Sequence, residues 1–368
     1  MMKRGKRERA SGRKEQIARD VNSLRHFADD TTMVRSTSLR GFKEVVTSLG
    51  GNPVALLEAA GIDPSLLDPA RVEIPYAQVA ELFETAATQL TCPDFGMRLA
   101  AVQAAQGATK VLGPLDVAMR NSPTLRDAYR YCADHLHVYS SATQICFEKL
   151  PDDPRIFMLF GIMLAAGVRQ RQSVEHSLAL TQHGIHTISG GQARAREVWF
   201  THEPLAPLST YRANFNATVR FGQSMSGLLF DEQDLDLPLP NTDPQLYEMA
   251  TSFIDHRFPT STMPLHTRVQ INIARLLLEG DCTQENVAAA LGLHPRTLQR
   301  RLREEGESFE AIKDSVRRDV ALRYLQRPDV SLVRVTEILG YSETSVLSRS
   351  CLRWFRASPR ELRNGLTR

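Results

Sequence analysis

A pattern that occurs twice in the last third of the chain constrains its fold more than any other feature. Residues 287–302 read VAAALGLHPRTLQRRL, and residues 335–351 read VTEILGYSETSVLSRSC. Each copy has a valine followed by a small residue, then Leu-Gly, a short turn and Leu-x-Arg. A glycine that ends one short helix, with a second helix beginning about three residues later, is typical of the helix-turn-helix. We therefore predict two such units, at about 284–303 and about 332–354.

The second helix of each predicted unit has an apolar side and a polar side. In the first unit Leu298 and Leu302 lie opposite Arg300, and in the second an apolar stripe lies opposite Arg349. That stripe comprises Leu347, Cys351 and Trp354. Because this helix enters the major groove, where Arg reads guanine and Gln reads adenine, the polar sides predict contacts with double-stranded DNA. The candidate DNA-binding residues are Arg296, Thr297, Gln299, Arg300, Arg303, Thr344, Ser345, Ser348 and Arg349.

A long helix is predicted between the two units. Apolar residues recur at helical spacing over Phe309–Gln326, and Pro328 ends the run. Such a helix would fix the separation of the two reading helices, which on one face of DNA should be about 34 Å, one duplex turn. After the second unit, Ser358 and Glu361 have the spacing of a capping box, which predicts a last short helix.

The distribution of charge supports an anionic partner for this region. Residues 265–368 hold 18 basic and 13 acidic side chains, and 17 of the basic ones are Arg, whose planar donors suit phosphates and base edges. Residues 36–264 hold 17 basic and 24 acidic side chains and would not themselves attract DNA. A genome rich in G and C also favours Arg codons, so the spacing of the residues weighs more than the bias.

The residues before this region predict a helix-rich α+β domain. Amphipathic helices are expected between about residues 38 and 137, and again over 170–189 and 241–258. Between them TQICFEKL and RIFMLFGIML flank PDDP, which predicts two strands around a turn. The segments EVWFTH and TVRFG predict further short strands.

The chain is thereby divided into four segments. We expect a disordered basic tail at 1–35, a body domain at 36–258, a linker at 259–264 and an all-α domain at 265–368. The tail could bind nucleic acid weakly, or Met33 could mark the start of the working protein.

Residues 265–363 resemble the DNA-binding domain of the AraC/XylS family of bacterial transcription regulators. The segments VAAALGLHPRTLQRRLREEGESFEAI and VTEILGYSETSVLSRSCLRWFRASPRELR carry the resemblance. It implies a seven-helix domain with two helix-turn-helix units in successive major grooves. The chain departs from the family pattern, which usually has Ala at Thr336, Phe at Leu347 and Cys351, and Gly at Arg356. Less buried volume at the two Phe positions would make the second unit less stable or less discriminating.

The body resembles the N-terminal effector domain of ornithine-utilisation-regulator-type members of that family, a domain often named arabinose-binding. LEAAGIDPSLLDPARVEIPYAQVAELFETAA, PDFGMRLA and YRANFNATVRFGQSMSGLLFDEQDLDLPLP carry this resemblance, over roughly residues 36–235. It implies that residues 36–258 bind a small-molecule effector or form a homodimer, and it names no ligand. The candidate effector-binding residues, which would equally suit a core, are Phe147, Phe157, Phe160 and Trp199.

Enzymatic and metal chemistry find little support in the sequence. Residues Gly222 to Ser226 come near the G-x-S-x-G elbow but lack its last glycine, and there is no phosphate-binding glycine loop. His176, His183 and His186 could share a helix, but satisfied or solvent-facing histidines are commoner than metal ligands. The five scattered Cys lack a C-x-x-C pair and fit a reducing cytoplasm. We therefore predict no catalytic residue, metal or cofactor.

The sequence thus predicts a cytoplasmic transcription regulator that binds DNA and a small-molecule effector, forms a homodimer and contacts RNA polymerase. We expect no membrane segment, because no run of about 18 apolar residues exists. Two alternatives stay open. The body could only dimerise or bind a protein partner, or it could be an enzyme fused to a DNA-binding domain.

Overall fold

A computed structural model describes residues 32–67, 72–149, 153–162, 164, 168–223, 225–258, 265–279, 282–325 and 330–366. The chain divides into two compact units, with the boundary after Phe258. The predicted linker, 259–264, lies outside the described residues, as does the predicted tail up to residue 31. Met33–Arg35 form a β-strand, so the expectation of disorder is wrong for these three residues.

The first unit combines helices with short strands, and the predicted helix-rich α+β fold is confirmed. Its helices are α1 (Phe42–Ser48), α2 (Pro53–Ala59), α3 (Tyr76–Gln89), α4 (Phe95–Ala105), α5 (Pro114–Arg120), α6 (Leu125–His135), α7 (Arg171–Ile188), α8 (Leu208–Phe215), α9 (Glu232–Leu235) and α10 (Pro244–Arg257). Its strands are β1 (Met33–Arg35), β2 (Glu73–Pro75), β3 (Thr143–Lys149), β4 (Ile156–Ile162), β5 (Glu197–Trp199), β6 (Thr218–Arg220) and β7 (Ser226–Phe230).

A five-stranded sheet of the first unit has the order β3-β4-β7-β5-β6. The predicted strand pair is its antiparallel edge, in which Thr143 lies opposite Ile162 and Lys149 opposite Ile156. β7 is antiparallel to both β4 and β5, whereas β5 and β6 are parallel. Strand β4 is apolar along its whole length because almost every side chain on both of its faces is buried. A separate small sheet pairs β1 with β2.

Helix α7 is held against α3 and α4 by hydrogen bonds to its first turn. The carboxylate of Glu84 accepts a hydrogen bond from the backbone N–H of Gln172 at 3.0 Å. The side chain of Gln172 accepts one from the N–H of Gly96 at 2.7 Å and donates one to the carbonyl oxygen of Pro93 at 2.7 Å. This brings α4 so close to α7 that a Cβ on Gly96 would lie 2.2 Å from the carbonyl oxygen of Gln172.

The substitution Gly96→Ala should therefore lower the free energy of unfolding of the first unit by about 1–3 kcal/mol, since backbone must move to admit the methyl group. The matched control is Gly161→Ala in β4, where a Cβ would meet nothing within 4 Å. Urea unfolding of the two variants measures the difference. Equal stability of the two variants would contradict the close approach of α4 to α7.

The regular elements of the second unit are all helices within its described residues, as predicted. Its helices are α11 (Leu265–Glu279), α12 (Gln284–Ala290), α13 (Pro295–Glu304), α14 (Phe309–Leu325), α15 (Leu332–Ile338), α16 (Thr344–Phe355) and α17 (Pro359–Leu366). The long helix α14 packs against α11, and its predicted apolar side is buried. That side comprises Phe309, Ile312, Val316, Val320 and Tyr324. The predicted capping box also forms, because Ser358 and Glu361 exchange side-chain and backbone hydrogen bonds.

Helix α16 ends at a residue with strained backbone. Arg356 has φ +54°, in the left-handed region that a Cβ disfavours and that glycine adopts readily. The family pattern has glycine at this position, so the departure noted in the sequence has a structural cost.

We expect Arg356→Gly to raise the free energy of unfolding of the second unit by about 0.5–1 kcal/mol, because it removes this strain. Arg334→Gly is the matched control. Since Arg334 lies within helix α15, the same exchange should destabilise there by about 1 kcal/mol. Thermal unfolding distinguishes the two, and a loss of stability in Arg356→Gly would argue against a strained helix end.

Candidate nucleic-acid interface

The first predicted helix-turn-helix consists of α12 and α13, and both helices have N-terminal caps. The hydroxyl of Thr283 accepts a hydrogen bond from the N–H of Asn286 at 3.1 Å. Nδ1 of His294 lies 3.3 Å from the N–H of Arg296, which donates to it. Gly292, in the turn between the helices, has φ +64°, as the predicted helix end requires. Local sequence therefore defines where the reading helix α13 begins.

Helix α13 separates its apolar and polar side chains as predicted. Leu298 and Leu302 are fully buried, whereas the side chain of Arg300 is 70% exposed. Its ion pair with Glu304, 3.7 Å away on the same helix, is a surface pair of little energetic weight. The exposed candidates on this side are Arg296, Gln299, Arg300 and Arg303. Within the described part of the chain, Arg296 and Arg303 have no acidic partner, so their guanidinium groups are available to an anion.

Two candidates of the first helix-turn-helix are less available to DNA, because Gln299 has a protein partner and Thr297 is half-buried. Nε2 of Gln299 donates to Oε1 of Gln284 at 3.1 Å, which links α13 to the start of α12. The side chain of Thr297 is half-buried. To read adenine, Gln299 would have to exchange its protein partner for the base.

The second predicted helix-turn-helix consists of α15 and α16 and has the same arrangement. Ser331 caps α15 by accepting from the N–H of Arg334 at 3.1 Å, and Gly340 in the turn has φ +65°. The predicted apolar stripe of α16, formed by Leu347, Cys351 and Trp354, is buried. Arg349 is exposed on the opposite side and has no acidic partner among the residues that the structure describes.

The hydroxyl groups of α16 are engaged near its N-terminus. Ser345 donates to the carboxylate of Glu343 at 2.9 Å, and Ser348 donates to the carbonyl oxygen of Thr344 at 3.1 Å. Hydroxyl oxygens retain acceptor capacity when they donate, so both can still accept from a base. In the described part of the chain, Arg349 is the one candidate arginine of this side, whereas α13 presents three. The two reading surfaces are therefore similar in shape and unequal in charge.

Three polar residues of α14 contact the two helix-turn-helices, and the sequence alone did not indicate them. Nζ of Lys313 donates to the carbonyl oxygen of Cys282, just before α12, at 2.6 Å. Nε of Arg317 donates to the carbonyl oxygen of Leu339, in the turn of the second helix-turn-helix, at 2.8 Å. The guanidinium group of Arg317 also lies 4.6 Å from the ring centroid of Tyr341.

Asp314, the third of these residues, fixes the reading helix α16. Its carboxylate accepts a hydrogen bond from Nε1 of Trp354 at 2.9 Å and forms an ion pair with Arg353. In the sequence these three residues resemble the other charged residues of an amphipathic helix, so no local signal indicated their contacts. The effect is that one helix makes polar contacts with both helix-turn-helices.

The candidate effector residues lie in the sheet of the first unit. Phe157 and Phe160 are buried in β4, and the ring centroids of Phe157 and Trp199 are 5.0 Å apart. Phe147, in β3, is half-buried. A surface pocket of about 620 Å³ lies beside β5 and β6, and none of these four aromatics lines it.

Other chemistry considered in the sequence has a structural account where the residues are described. Nε2 of His176 pairs with the side chain of Gln103 at 2.9 Å, and burial lowers the pKa of His176 to about 4. Among the described residues no three His, Cys, Asp or Glu side chains converge as metal ligands would. Ser224, of the near-elbow motif, lies outside the described residues. The described helices include none long and apolar enough to cross a membrane.

Comparison with known proteins gives two family matches. Residues 50–239 match the model described as the arabinose-binding domain of AraC transcription regulator, N-terminal, and residues 287–365 match a helix-turn-helix domain. The first alone spans more than half of the chain.

Individual relatives agree with these matches. The chain is 33% identical to the HTH-type transcriptional regulator VirS of Mycobacterium tuberculosis, over 90% of this chain and 96% of that protein. It is 23% identical to the Ornithine utilization regulator of Pseudomonas aeruginosa, over 87% of this chain and 93% of that protein. It is also 30% identical to the transcriptional activator NphR of a Rhodococcus species, over 38% of this chain and 44% of that protein. These relatives are regulators rather than enzymes.

The two helix-turn-helix units and the helix-rich first unit thus match one known arrangement across nearly the whole chain. The chain belongs to the AraC family of transcription regulators.

Proposed function

We propose that the polar sides of α13 and α16 read an operator sequence in the major groove of DNA. The observation that carries this proposal is the equivalent placement of Arg300 and Arg349, each exposed on the reading helix opposite buried residues. An exposed guanidinium group on such a helix suits the two acceptors of guanine. The remaining contacts would come from Arg296, Thr297, Gln299, Arg303, Thr344, Ser345 and Ser348.

Replacing Arg300 or Arg349 with Ala should each weaken operator binding by about 1–3 kcal/mol while leaving binding to unrelated DNA nearly unchanged. A genome-wide map of bound sites supplies the operator, and fluorescence anisotropy at fixed salt measures both affinities. The matched control is Arg301→Ala, since Arg301 neighbours Arg300 on α13 but lies on another side of the helix.

The ratio of operator affinity to non-specific affinity is the decisive quantity. Arg301→Ala should preserve that ratio, because a phosphate contact weakens both affinities together. A preserved ratio in both Arg300→Ala and Arg349→Ala, in folded protein, would refute base reading by these helices.

We also propose that the first unit, residues 36–258, binds a small-molecule effector that controls the DNA-binding unit, residues 265–368. The match of residues 50–239 to a domain described as arabinose-binding supports this, as does the pocket beside β5 and β6. The second candidate function is a first unit that serves only to dimerise or to bind a protein. An exposed apolar stripe on α10 favours that role, and the two roles are compatible.

The stripe on α10 supports a homodimer. Leu246, Met249 and Phe253 lie at helical spacing on one side of the helix, and Met249 is 67% exposed. Val117, on the adjacent helix α5, is also exposed. Contiguous apolar surface of this kind marks interaction sites, and a stripe on one helix can pair with its own copy around a two-fold axis. Because α10 is the last described helix before residue 265, few residues of sequence separate this surface from the DNA-binding unit.

We expect the double variant Met249→Ser with Phe253→Ser to sediment as a monomer at concentrations where the unchanged chain sediments as a dimer. The control is Val54→Ser, which alters an exposed apolar residue of α2 outside the stripe and should leave the dimer intact. Sedimentation velocity measures both. Dimers of equal stability in the double variant and the control would place the interface elsewhere.

We infer two further properties. Activation, with RNA polymerase as a partner, is supported by the name of the relative NphR, a transcriptional activator. A cytoplasmic location is supported by the DNA partner and by five cysteines that are scattered along the sequence without a C-x-x-C pair.

A further inference from the structure

The pocket beside β5 and β6 has walls that the fold holds in place. Helix α8 forms one wall, and the segment leading into β5 forms another. The buried side chain of Gln182 joins the two walls, because it donates to the carbonyl oxygen of Phe215 at 2.9 Å and accepts from the N–H of Ala195 at 3.2 Å. The N–H of Thr218 donates to the carbonyl oxygen of Arg196 at 3.1 Å and closes the third side. A volume of about 620 Å³ is within the range of small-molecule sites.

The charge of the pocket is positive. Three arginines line it, and none of the described residues that line it is acidic. Arg196 is neutralised by Asp231 at 2.7 Å and by Asp234 at 2.9 Å. Arg194 and Arg212 are exposed and have no acidic partner in the part of the chain that the structure describes. Two arginines without a counter-ion in one concave site favour an anion, because guanidinium groups bind carboxylate or phosphate through paired hydrogen bonds.

The buried carboxyl group of Glu175, behind Tyr211, does not cancel this positive charge. Tyr211 lines the pocket, and its hydroxyl donates to the buried carboxyl group of Glu175 and accepts from the N–H of Leu205 at 2.9 Å. Burial raises the pKa of Glu175 to about 8, so this carboxyl group is mostly uncharged at neutral pH. With the hydroxyl turned inward, the ring of Tyr211 presents carbon to the pocket.

The remaining lining is apolar enough to select among anions. Leu208, Val219 and two alanines contribute carbon surface, and Leu208 is half exposed at the side of α8. Free phosphate would leave this surface unused. A carboxylate with a compact apolar body would use both the arginines and the apolar wall.

We propose that this pocket binds a small organic carboxylate through Arg194 and Arg212, and that this ligand is the effector of the first unit. The inference rests on the proposed effector control and names the chemical class of the ligand.

The test uses the full chain with hexanoate, octanoate and benzoate as probes, hexanamide and benzamide as neutral counterparts, and inorganic phosphate. At about one hundred times its Kd, a bound carboxylate should raise the Tm of the first unit by about 5 °C or more, whereas the amides should not. Arg194→Gln and Arg212→Gln should each raise the Kd from calorimetry about tenfold or more. Arg130→Gln, at an exposed arginine of α6 outside the pocket, should bind as the unchanged chain does.

Three outcomes would overturn the proposal: no shift with any carboxylate, equal binding of phosphate, or carboxylate binding by the Arg194→Gln/Arg212→Gln double variant with unchanged Kd. Operator affinity measured in the same samples separates this failure from that of the proposed function. Intact operator binding without a carboxylate response rejects the pocket alone, and carboxylate binding that leaves operator affinity unchanged rejects effector control. Loss of operator specificity in the unchanged chain rejects base reading.

Discussion

The hydrogen bonds that leave the polar side of α14 connect the two helix-turn-helices of the DNA-binding unit. A helix-turn-helix fixes only the angle between its own two helices, so two units need a separate device to share one geometry. Here Lys313 donates to the carbonyl oxygen just before the first helix-turn-helix. Arg317 donates to the turn of the second helix-turn-helix, and Asp314 accepts from its second helix, α16. These residues lie within five positions of one α-helix, whose backbone is rigid at that length. Helix α14 is therefore the element through which the two helix-turn-helices are joined by polar contacts.

The reading helices were predictable because their signals are local. A buried leucine pair at helical spacing, a glycine at the turn and an arginine on the other side all lie within one short window of sequence, and Leu298, Gly292 and Arg300 have the predicted positions. The contacts of α14 were not predictable in this way. Asp314 meets Trp354 across 40 positions of sequence, and Arg317 meets Leu339 across 22. The sequence pattern within each segment does not indicate these two contacts, because they form only when the helices pack against each other.

The same distinction holds in the first unit. Long apolar strands such as β4 were evident, whereas β1 and β2 have three residues each and no alternation to reveal them. The pocket is harder still to predict, since Arg194 lies in the segment before β5, Tyr211 in α8 and Thr218 in β6. Aromatic residues attract attention in a sequence, but Phe157 serves the core because a strand with covered faces has no free surface. The arginines that give the pocket its charge look in sequence like ordinary surface residues.

The second helix-turn-helix departs from the family pattern at buried positions, and the structure shows which contacts surround them. Leucine and cysteine in place of phenylalanine give up apolar volume at positions 347 and 351, both fully buried, and a smaller side chain in a core costs stability. Around this core, Asp314 binds Trp354 and Arg353, and Arg317 binds the turn. A hydrogen bond to a charged group contributes about 1.5–3 kcal/mol, which is comparable to the apolar loss. Directional polar contacts therefore act together with the apolar core in holding α16. Because such contacts hold only over a narrow range of distance and angle, they restrict how α16 can lie against α14 in a way that apolar packing alone would not.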